Sequence, residues 1–520
     1  MAVPDTEKQL RLDSATVWDQ APGIRKWAYD FHQHVFLAMD VEPLSKMYEE
    51  GGRKPISPRL LASITVLQYM FRSSDREAVD HTLIRRDWRV ALSLDSDYEG
   101  FHPTVLVRFR QRLIAAGLEE ELFRSVLSRA KELGMLRGRR RLRVDATELL
   151  ANVSVLSRAD VVRETLRVVL SALVNAAPEL EGDVEFERLL KEHGEESWLG
   201  GSCDVKGLRR LGEDGYALLR LCEGREVAGV DVLCRVLEEN FAVEDGSLRP
   251  LEEKELSSDR VRTPHDPDAR LGQKRKKSWI GDKVHVVETA DGEGNLVVGV
   301  LVTDPRQEDS TVLEAVVREG TARVPDAEML LADTGYASAT NSVKAQEGGL
   351  RLMSPPRADT HKGGYRPSEF EIDFESRVAR CPMGQMSQYW RVRPNGKTVM
   401  AWGNAVCAAC PAVKECKTSA RGRRLELAPH WERLQRERAA VRTDEFWNEY
   451  RHRAGVEATM SELVRRHDLR RSRYRGSARR RLHALLSVTA LNTKRLLRWI
   501  AGGGSRAAPT GSPAPCAAAG

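Results

Sequence analysis

Three acidic side chains in this sequence have surroundings that suit metal-dependent phosphoryl transfer. That chemistry needs carboxylates from separate elements that converge on two divalent ions about 4 Å apart, which stabilise the attacking and the leaving oxygens. Asp145 and Asp333 each stand at the end of a short apolar run, and Glu457 follows Arg453 by four residues in a helical pattern. Taken singly, an aspartate after a strand is often a turn residue, and Arg453 with Glu457 is an ordinary helix ion pair. The hypothesis therefore depends on all three acids meeting.

Two predicted strands would position the aspartates. Residues 142–149 are apolar and β-branched, and they predict a strand with Asp145 at its exit. A second apolar run, AEMLLADTGY, predicts a strand that ends at Asp333. Between them, residues 278–304 predict a β-hairpin with its turn at 291–295. If these strands are neighbours in one sheet, the two aspartates lie side by side.

A predicted helix would position the third acid. Tyr450, Arg453 and Glu457 stand at spacings of three and four residues, which predicts one helical face. An apolar stripe of Val456, Met460 and Leu463 accompanies that face. An acid displayed beside a buried face can reach into a cleft, so Glu457 is the third candidate ligand.

The sequence resembles the DDE transposases of bacterial insertion sequences. Tyr450, Arg453 and Glu457 match the Tyr-x2-Arg-x3-Glu signature that marks one group of them. RVDATELLANVS is similar to that family's first-acid motif, LLADTGYAS to its second, and GGRKPISPRLLASITVLQYMFRSSDREAVDHTL to its N-terminal domain. One position departs from the signature, because Val464 stands where the family has a basic residue seven positions after the glutamate.

The resemblance implies an α/β fold with an RNase H-like catalytic core. It places Asp145 on the first strand, Asp333 after the fourth, and Glu457 on the following helix, as catalytic ligands of two Mg²⁺ (or Mn²⁺) ions. One ion would activate water or a DNA 3′-hydroxyl, and the other would stabilise the leaving oxygen. Tyr450 and Arg453 would touch DNA near the cut. Two alternatives stay open, namely a nuclease of the same fold that cuts without joining and a catalytically silent DNA-binding protein descended from a transposase.

The basic surplus of the chain is concentrated near residue 470. The net charge is +6, yet residues 464–500 hold twelve Lys or Arg against the single acid Asp468. Such a run favours a polyanion, here double-stranded DNA at terminal inverted repeats and target sites, over a merely solvated helix face. Smaller basic clusters stand at 137–143 and 274–277. The arginines expected to contact phosphates are Arg465, Arg466, Arg470, Arg471, Arg473 and Arg475.

Four cysteines between the second and third acids suggest a structural zinc site. Cys407 and Cys410 have the two-residue gap of a zinc knuckle, whereas the gap to Cys416 and the distant Cys381 fit less well. The alternative is a set of free cysteines packed in a small insertion.

The remaining patterns predict the domain organisation. Residues 1–136 read as a helical N-terminal domain that binds DNA ends. Residues 137–500 read as the RNase H-like catalytic domain, with a helical insertion at 155–255 and a cysteine-containing insertion at 340–430. The last segment, 501–520, reads as a disordered tail. No apolar run approaches the roughly 20 residues that span a bilayer, and no export signal is evident, so we expect a cytoplasmic protein. The resemblance to the transposases implies that it forms a homo-oligomer on DNA.

Overall fold

The structure is a computed structural model of the 520-residue chain. It describes residues 26–48, 55–95, 97–195, 203–244, 246–274, 276–292, 294–357, 364–416, 419 and 421–504. The first 25 residues of the predicted N-terminal domain and residues 505–520 of the predicted tail lie outside the described residues.

The described residues contain thirteen strands and nineteen α-helices. The strands are β1 (Arg141–Leu150), β2 (Phe241–Glu244), β3 (Ser247–Pro250), β4 (Arg270–Lys274), β5 (Lys277–Thr289), β6 (Val297–Thr303), β7 (Met329–Leu331), β8 (Arg351–Met353), β9 (Glu371–Asp373), β10 (Val378–Arg380), β11 (Tyr389–Val392), β12 (Thr398–Trp402) and β13 (Arg423–Leu427). The helices of the N-terminal half are α1 (Trp27–Phe31), α2 (Glu42–Ser45), α3 (Pro58–Phe71), α4 (Asp75–Ile84), α5 (Arg86–Leu92), α6 (Thr104–Ala115), α7 (Glu121–Glu132), α8 (Arg158–Ala176), α9 (Val184–His193), α10 (Val205–Cys222) and α11 (Val230–Glu238). Those of the C-terminal half are α12 (Leu313–Arg323), α13 (Ala339–Glu347), α14 (Asn404–Ala408), α15 (Val413–Cys416), α16 (Trp431–Ala440), α17 (Asp444–Tyr450), α18 (Gly455–Arg466) and α19 (Ser477–Ala501).

A six-stranded mixed sheet forms the centre of the molecule, which makes it an α/β protein as predicted. The strand order is β4-β5-β1-β7-β8, and β6 also pairs with β5. The strands β1, β7 and β8 are parallel, whereas β4, β5 and β6 run antiparallel to their neighbours. The predicted hairpin is present, because β5 and β6 pair across the turn at residues 290–296.

The strand predicted over residues 142–149 is β1, Arg141–Leu150, but Asp145 does not lie at its exit. Its partner β5 pairs along this whole stretch, as far as Leu150 opposite Gly281. In addition, Leu150 exchanges backbone hydrogen bonds with Arg470 and Ser472 of the basic segment. Asp145 therefore lies in the middle of a strand that is held on both edges.

The C-terminal helix α19 packs against two hydrophobic cores. Leu485, Val488 and Leu491 belong to the core under the sheet, together with side chains of β5, β6, α7 and α12. Leu482 and Leu486, less than one turn away, belong to the core of the N-terminal helices α1 and α3–α7. An apolar stripe wider than one face of a helix allows this double role.

Two further regions have cores of their own. Helices α8–α11 bury one cluster of apolar side chains, and beside them β2 and β3 form a small hairpin that the helical patterns did not predict. The stretch that looked irregular contains the β9–β10 hairpin and the three-stranded sheet β11-β12-β13, around a core that includes Trp402 and Cys407. No described helix is long and apolar enough to cross a membrane.

Candidate active site

The structure brings the three predicted acids into one cluster. Strand β7 pairs with β1 in parallel, with Leu331 opposite Arg143. Asp145 lies two residues beyond Arg143, and Asp333 lies two residues beyond Leu331. Because the two chains run in the same direction, both aspartates reach the same level of the sheet. Arg453 lies between Asp145 and Glu457, and the carboxylates of Asp333 and Glu457 both raise the pKa of Asp145, although the oxygens of the three acids do not all lie within 4.8 Å of one another.

Hydrogen bonds hold the loop that carries Asp333. Its carboxylate Oδ1 accepts from the backbone N–H of Gly335 (2.8 Å), and its carbonyl accepts from Ser354 Oγ (2.7 Å). A Cβ on Gly335 would lie 2.9 Å from Asp333 Oδ1, so only glycine allows this close approach. Glycine at this position therefore serves the geometry of the acid.

A buried tyrosine and a buried histidine fasten the same loop to the sheet. Tyr336 Oη is 2.6 Å from Nδ1 of His285 on β5, and Nε2 of His285 is 3.1 Å from Thr303 Oγ1. Burial lowers the pKa of His285 to about 4, so the ring is neutral near neutral pH. Tyr336 belongs to the DTGY motif, whereas nothing in the sequence pattern singled out His285.

Arg453 lies between two of the acids. Its guanidinium is 3.4 Å from Asp145 Oδ1 and 3.0 Å from Glu457 Oε1, and its side chain is only 12% exposed. Tyr450 is half-buried and donates a hydrogen bond from Oη to the carbonyl of Ala332 (3.0 Å). The signature residues thus contact both aspartate-bearing strands.

These residues do not lie on one helix, contrary to the prediction. Helix α17 ends at Tyr450, residues 451–454 form a 3₁₀ turn that contains Arg453, and α18 begins at Gly455. Arg143 on β1 donates to the carbonyl of His452 in this turn (2.9 Å). The sheet therefore holds the turn, and continuity of one helix is not what aligns the signature.

The cluster carries concentrated negative charge. Burial raises the pKa of Asp145 above its ordinary value, and the carboxylates of Asp333 and Glu457 raise it further, whereas Arg453 and the N–H of Ala146 oppose the shift. Burial also raises the pKa of Tyr450 to about 12. Carboxylates forced together in this way attract a cation, and Arg453 supplies one in this structure.

A buried ion-pair network clamps α18 to the sheet. The carboxylate of Glu288 on β5 is fully buried and accepts from Arg143 Nε (2.6 Å), from Thr459 Oγ1 (2.7 Å) and from Arg495 of α19. A Cβ on Gly455 would lie 2.0 Å from Arg143 Nη1, so the first residue of α18 packs directly against the guanidinium of Arg143. No local pattern indicated this network, since Glu288 is 145 residues from Arg143 and 171 residues from Thr459.

The predicted phosphate-binding arginines divide into two groups. Arg465, Arg466, Arg471 and Arg475 are exposed. Arg473 is bound within the protein, where it donates to the carbonyl of Ser73 (2.7 Å) and lies over the Tyr69 ring. Arg470 is 43% exposed at its side chain and lies 4.0 Å from Glu148 of β1, so it is near the acids.

One arginine of the basic run is buried. Arg480 has a fully buried side chain and pairs with Asp266 and Asp282. Asp282 follows Gly281 on β5, and no sequence pattern suggested a role for it. Its carboxylate neutralises Arg480 and ties α19 to the sheet. This arginine is unavailable to DNA.

The four cysteines meet around one cavity. Cys381, Cys407, Cys410 and Cys416 all line it, together with Arg423. Burial raises the pKa of Cys416, Arg423 lowers it, and the three other cysteines raise it further. The four thiols therefore face one cavity, although no three of their sulfur atoms lie within 4.8 Å of one another.

A third group of potential ligands is closer together than either predicted site. Among the described residues, one group of three or more potential metal ligands has its ligand atoms all within 4.8 Å of one another. Its members are Glu192, His193 and Asp214. Arg188 contacts both Asp214 (2.7 Å) and Glu192 (3.2 Å), and Arg210 also contacts Glu192 (2.8 Å). Because arginines already neutralise these acids, the group is an ion-pair network of the helical region.

The comparisons with known proteins match two separate parts of the chain. A family model described as "Transposase DDE domain" matches residues 380–497, and one described as "Transposase domain (DUF772)" matches residues 28–112. Glu457 lies inside the first match, whereas Asp145 and Asp333 lie outside both. Searches of the curated proteins and of the solved structures found no match to the chain.

Fold and site define an α/β protein with an acidic cluster at the centre of its mixed sheet. The two family matches, which cover the N-terminal helices and the C-terminal part, support a DDE transposase of an insertion sequence.

Proposed function

We propose that the chain cuts and joins DNA at the ends of an insertion sequence in a metal-dependent reaction. The observation that carries this proposal is the convergence of Asp145, Asp333 and Glu457 around Arg453 in a chain of the DDE transposase class. The three carboxylates come from two neighbouring strands and one helix, as metal-assisted phosphoryl transfer requires.

The sheet supports an RNase H-like catalytic core. Without β4, the order is β6-β5-β1-β7-β8, with an antiparallel half followed by a parallel half. Asp145 lies on the first core strand and Asp333 follows the fourth. In this proposal, the segments 155–255 and 340–430 are insertions into the core, and residues 26–136 are the described part of a domain that binds DNA ends.

The residues of the cluster fit divalent cations. They offer only oxygen donors, which suits Mg²⁺ or Mn²⁺, and Asp145 has a raised pKa that a bound cation would relieve. Bound ions would supply activation of the attacking oxygen and stabilisation of the leaving oxygen. Arg453 neutralises Asp145 and Glu457 where no metal cation is bound. Tyr450 holds the end of β7 in position through its hydrogen bond to the carbonyl of Ala332.

The exposed arginines of the basic segment would contact DNA phosphates. Arg465 and Arg466 end α18, the helix that carries Glu457, and Arg471 and Arg475 flank the end of β1. Contacts of this kind position DNA without reading its sequence. We further propose that the protein acts in the bacterial cytoplasm as a homo-oligomer on paired DNA ends.

Cleavage and joining of the element's own terminal DNA test the proposal. The parent is expected to nick those ends and join them to a second duplex with Mg²⁺, and Asp145→Asn is expected to do neither. Cutting without joining would favour the nuclease, and binding without either reaction would favour the silent DNA-binding protein. Asn175→Asp, on the exposed surface of α8, is a control for changes of charge away from the cluster. If Asp145→Asn equals the parent, the mechanism is wrong.

We also propose that Cys381, Cys407, Cys410 and Cys416 hold a structural zinc ion. Their thiols line one cavity in a region with a small core, and small cores are commonly stabilised by such a metal. Purified protein should contain one zinc per chain, measured by mass spectrometry of the metal, and Cys407→Ser should release it. Cys222→Ser, in the core of the helical region, should retain it. A parent free of zinc after purification without chelators would contradict the proposal.

A further inference from the structure

The hairpin of β4 and β5 carries a basic tip beside the acidic cluster. Lys274, Lys276 and Lys277 are exposed there, and Arg275 between them lies outside the described residues. The sequence marked this cluster, but the proposed site does not use it. Lys277 pairs with Glu148 (2.6 Å) on β1, the strand that also carries Asp145, so the tip is tied to that strand.

The hairpin is firmly packed at its base. Trp279 is buried and lies against Gly272 of the neighbouring strand, where a Cβ would be 2.5 Å from the indole ring and 2.7 Å from Pro305. The indole N–H of Trp279 donates to the carbonyl of Asp282 (3.2 Å). The lysines are thus displayed on a preformed arm.

A groove of about 530 Å³ runs between this arm and the acidic cluster. One end is formed by Ala146 and Gly335, the neighbours of the two aspartates, and the hairpin forms a wall with Lys274 and Trp279. Its volume is within the range of roughly 300–1,000 Å³ that is typical of ligand pockets. None of the three acids lines the groove itself, but Gly335 at its end lies against Asp333, so a ligand in the groove would lie beside the acidic cluster.

The groove has a surplus of positive charge. Its basic residues are Lys274, Lys283, Arg306, Arg357 and Arg470, and its acidic residues are Glu148, Glu308 and Asp309. Each acid is already paired with a base, since Glu148 contacts Lys277 (2.6 Å), Asp309 contacts Lys283 (2.9 Å) and Glu308 lies 4.0 Å from Arg357. Among the described residues, no acid forms an ion pair with Lys274 or Lys276.

We propose that this groove and the tip of the β4–β5 hairpin hold the sugar-phosphate backbone of DNA on the side of the cut opposite α17 and α18. A polyanion approaching three carboxylates is repelled, and basic side chains in a groove beside the carboxylates offset the repulsion. The proposal rests on the proposed function, because it assigns a further part of the same DNA substrate to a surface of the catalytic sheet.

Salt-dependent binding of a labelled random-sequence DNA duplex, measured without divalent metal, tests the proposal. Each phosphate contact contributes about 0.9 to the slope of log K against log salt. The double variant Lys274→Gln/Lys276→Gln is therefore expected to lose about 1.8 from the parent's slope and to bind more weakly at every salt concentration. The matched control is Lys191→Gln/Lys206→Gln, two exposed lysines of the helical region, which should keep the parent's slope.

Three outcomes would overturn the inference. The hairpin variant could keep the parent's slope and affinity, the control pair could lose as much as the hairpin pair, or the parent could fail to bind duplex DNA. All four lysines are exposed, so thermal unfolding should be unchanged in both variants, and that measurement separates lost contacts from misfolding. Because binding is measured without catalysis, a parent that binds through the groove but fails to cut its own ends contradicts only the proposed function.

Discussion

The clamp around Glu288 should determine whether Glu457 stays in place. In Glu288→Gln, a buried carboxylate becomes a neutral amide of the same shape, and Arg143 and Arg495, with side chains 9% and 14% exposed, lose their shared counter-charge. Breaking a buried ion pair on one side costs about 3–5 kcal/mol. Since 1 kcal/mol moves the Tm of a 150–250-residue domain by about 2–4 °C, we expect a decrease of about 6–20 °C.

The assay is thermal unfolding of the full chain, followed by DNA cleavage below the new Tm. Cleavage should remain impaired there, because α18 is no longer held against β1 at Gly455. Glu462→Gln is the matched control, since Glu462 contacts the same Arg495 (3.3 Å) from the rim of the network with 18% of its side chain exposed. Its loss should be at most about 1 kcal/mol. Equal stability of Glu288→Gln and the control would refute the reasoning.

Three other changes have directions that follow from contacts in the structure. Arg453→Met removes the cation between the acids, so Mg²⁺ should raise the Tm of this variant more than that of the parent, and equal shifts at matched ionic strength would contradict it. Gly455→Ala should destabilise the chain by about 1–3 kcal/mol, because its Cβ meets Arg143, and unchanged unfolding in urea would argue against this overlap. Burial lowers the pKa of His483 to about 4, so its neutral ring stabilises the fold above pH about 6.5 and that contribution, about 3 kcal/mol, is lost as the pH falls towards 4. His483→Gln should flatten the dependence of unfolding free energy on pH in that window, and a parallel profile would be evidence against the assignment.

Local patterns predicted the elements that carry the acids but not all of their limits. Apolar runs with β-branched residues indicated β1, β7 and the β5–β6 hairpin, and the parallel pairing of β1 with β7 accounts for the meeting of Asp145 and Asp333. The bounds predicted for β1 were correct within one residue, but Asp145 lies in the middle of the strand and not at its exit. Its position depends on the partners of the strand, because β5 and the segment around Arg471 continue the pairing to Leu150.

Interactions between distant residues had no local pattern. Arg143 meets Glu288 145 residues later, and Asp282 meets Arg480 198 residues later, so neither buried pair produces a periodicity in the sequence. For the same reason, a run of arginines looked like one phosphate-binding surface, although Arg480 is buried and Arg473 is held by Ser73. The amino-acid composition gives the number of charged side chains, whereas their exposure to solvent depends on the fold.

The double role of α19 has a consequence for synthesis on the ribosome. Its side chains at 482–497 complete both the core under the sheet and the core of the N-terminal helices. Domains generally fold as units in the order in which they emerge, but here neither of these cores can close until nearly the whole described chain has been translated. The nascent chain therefore exposes apolar surface of both cores through most of elongation, until α19 is available to cover it.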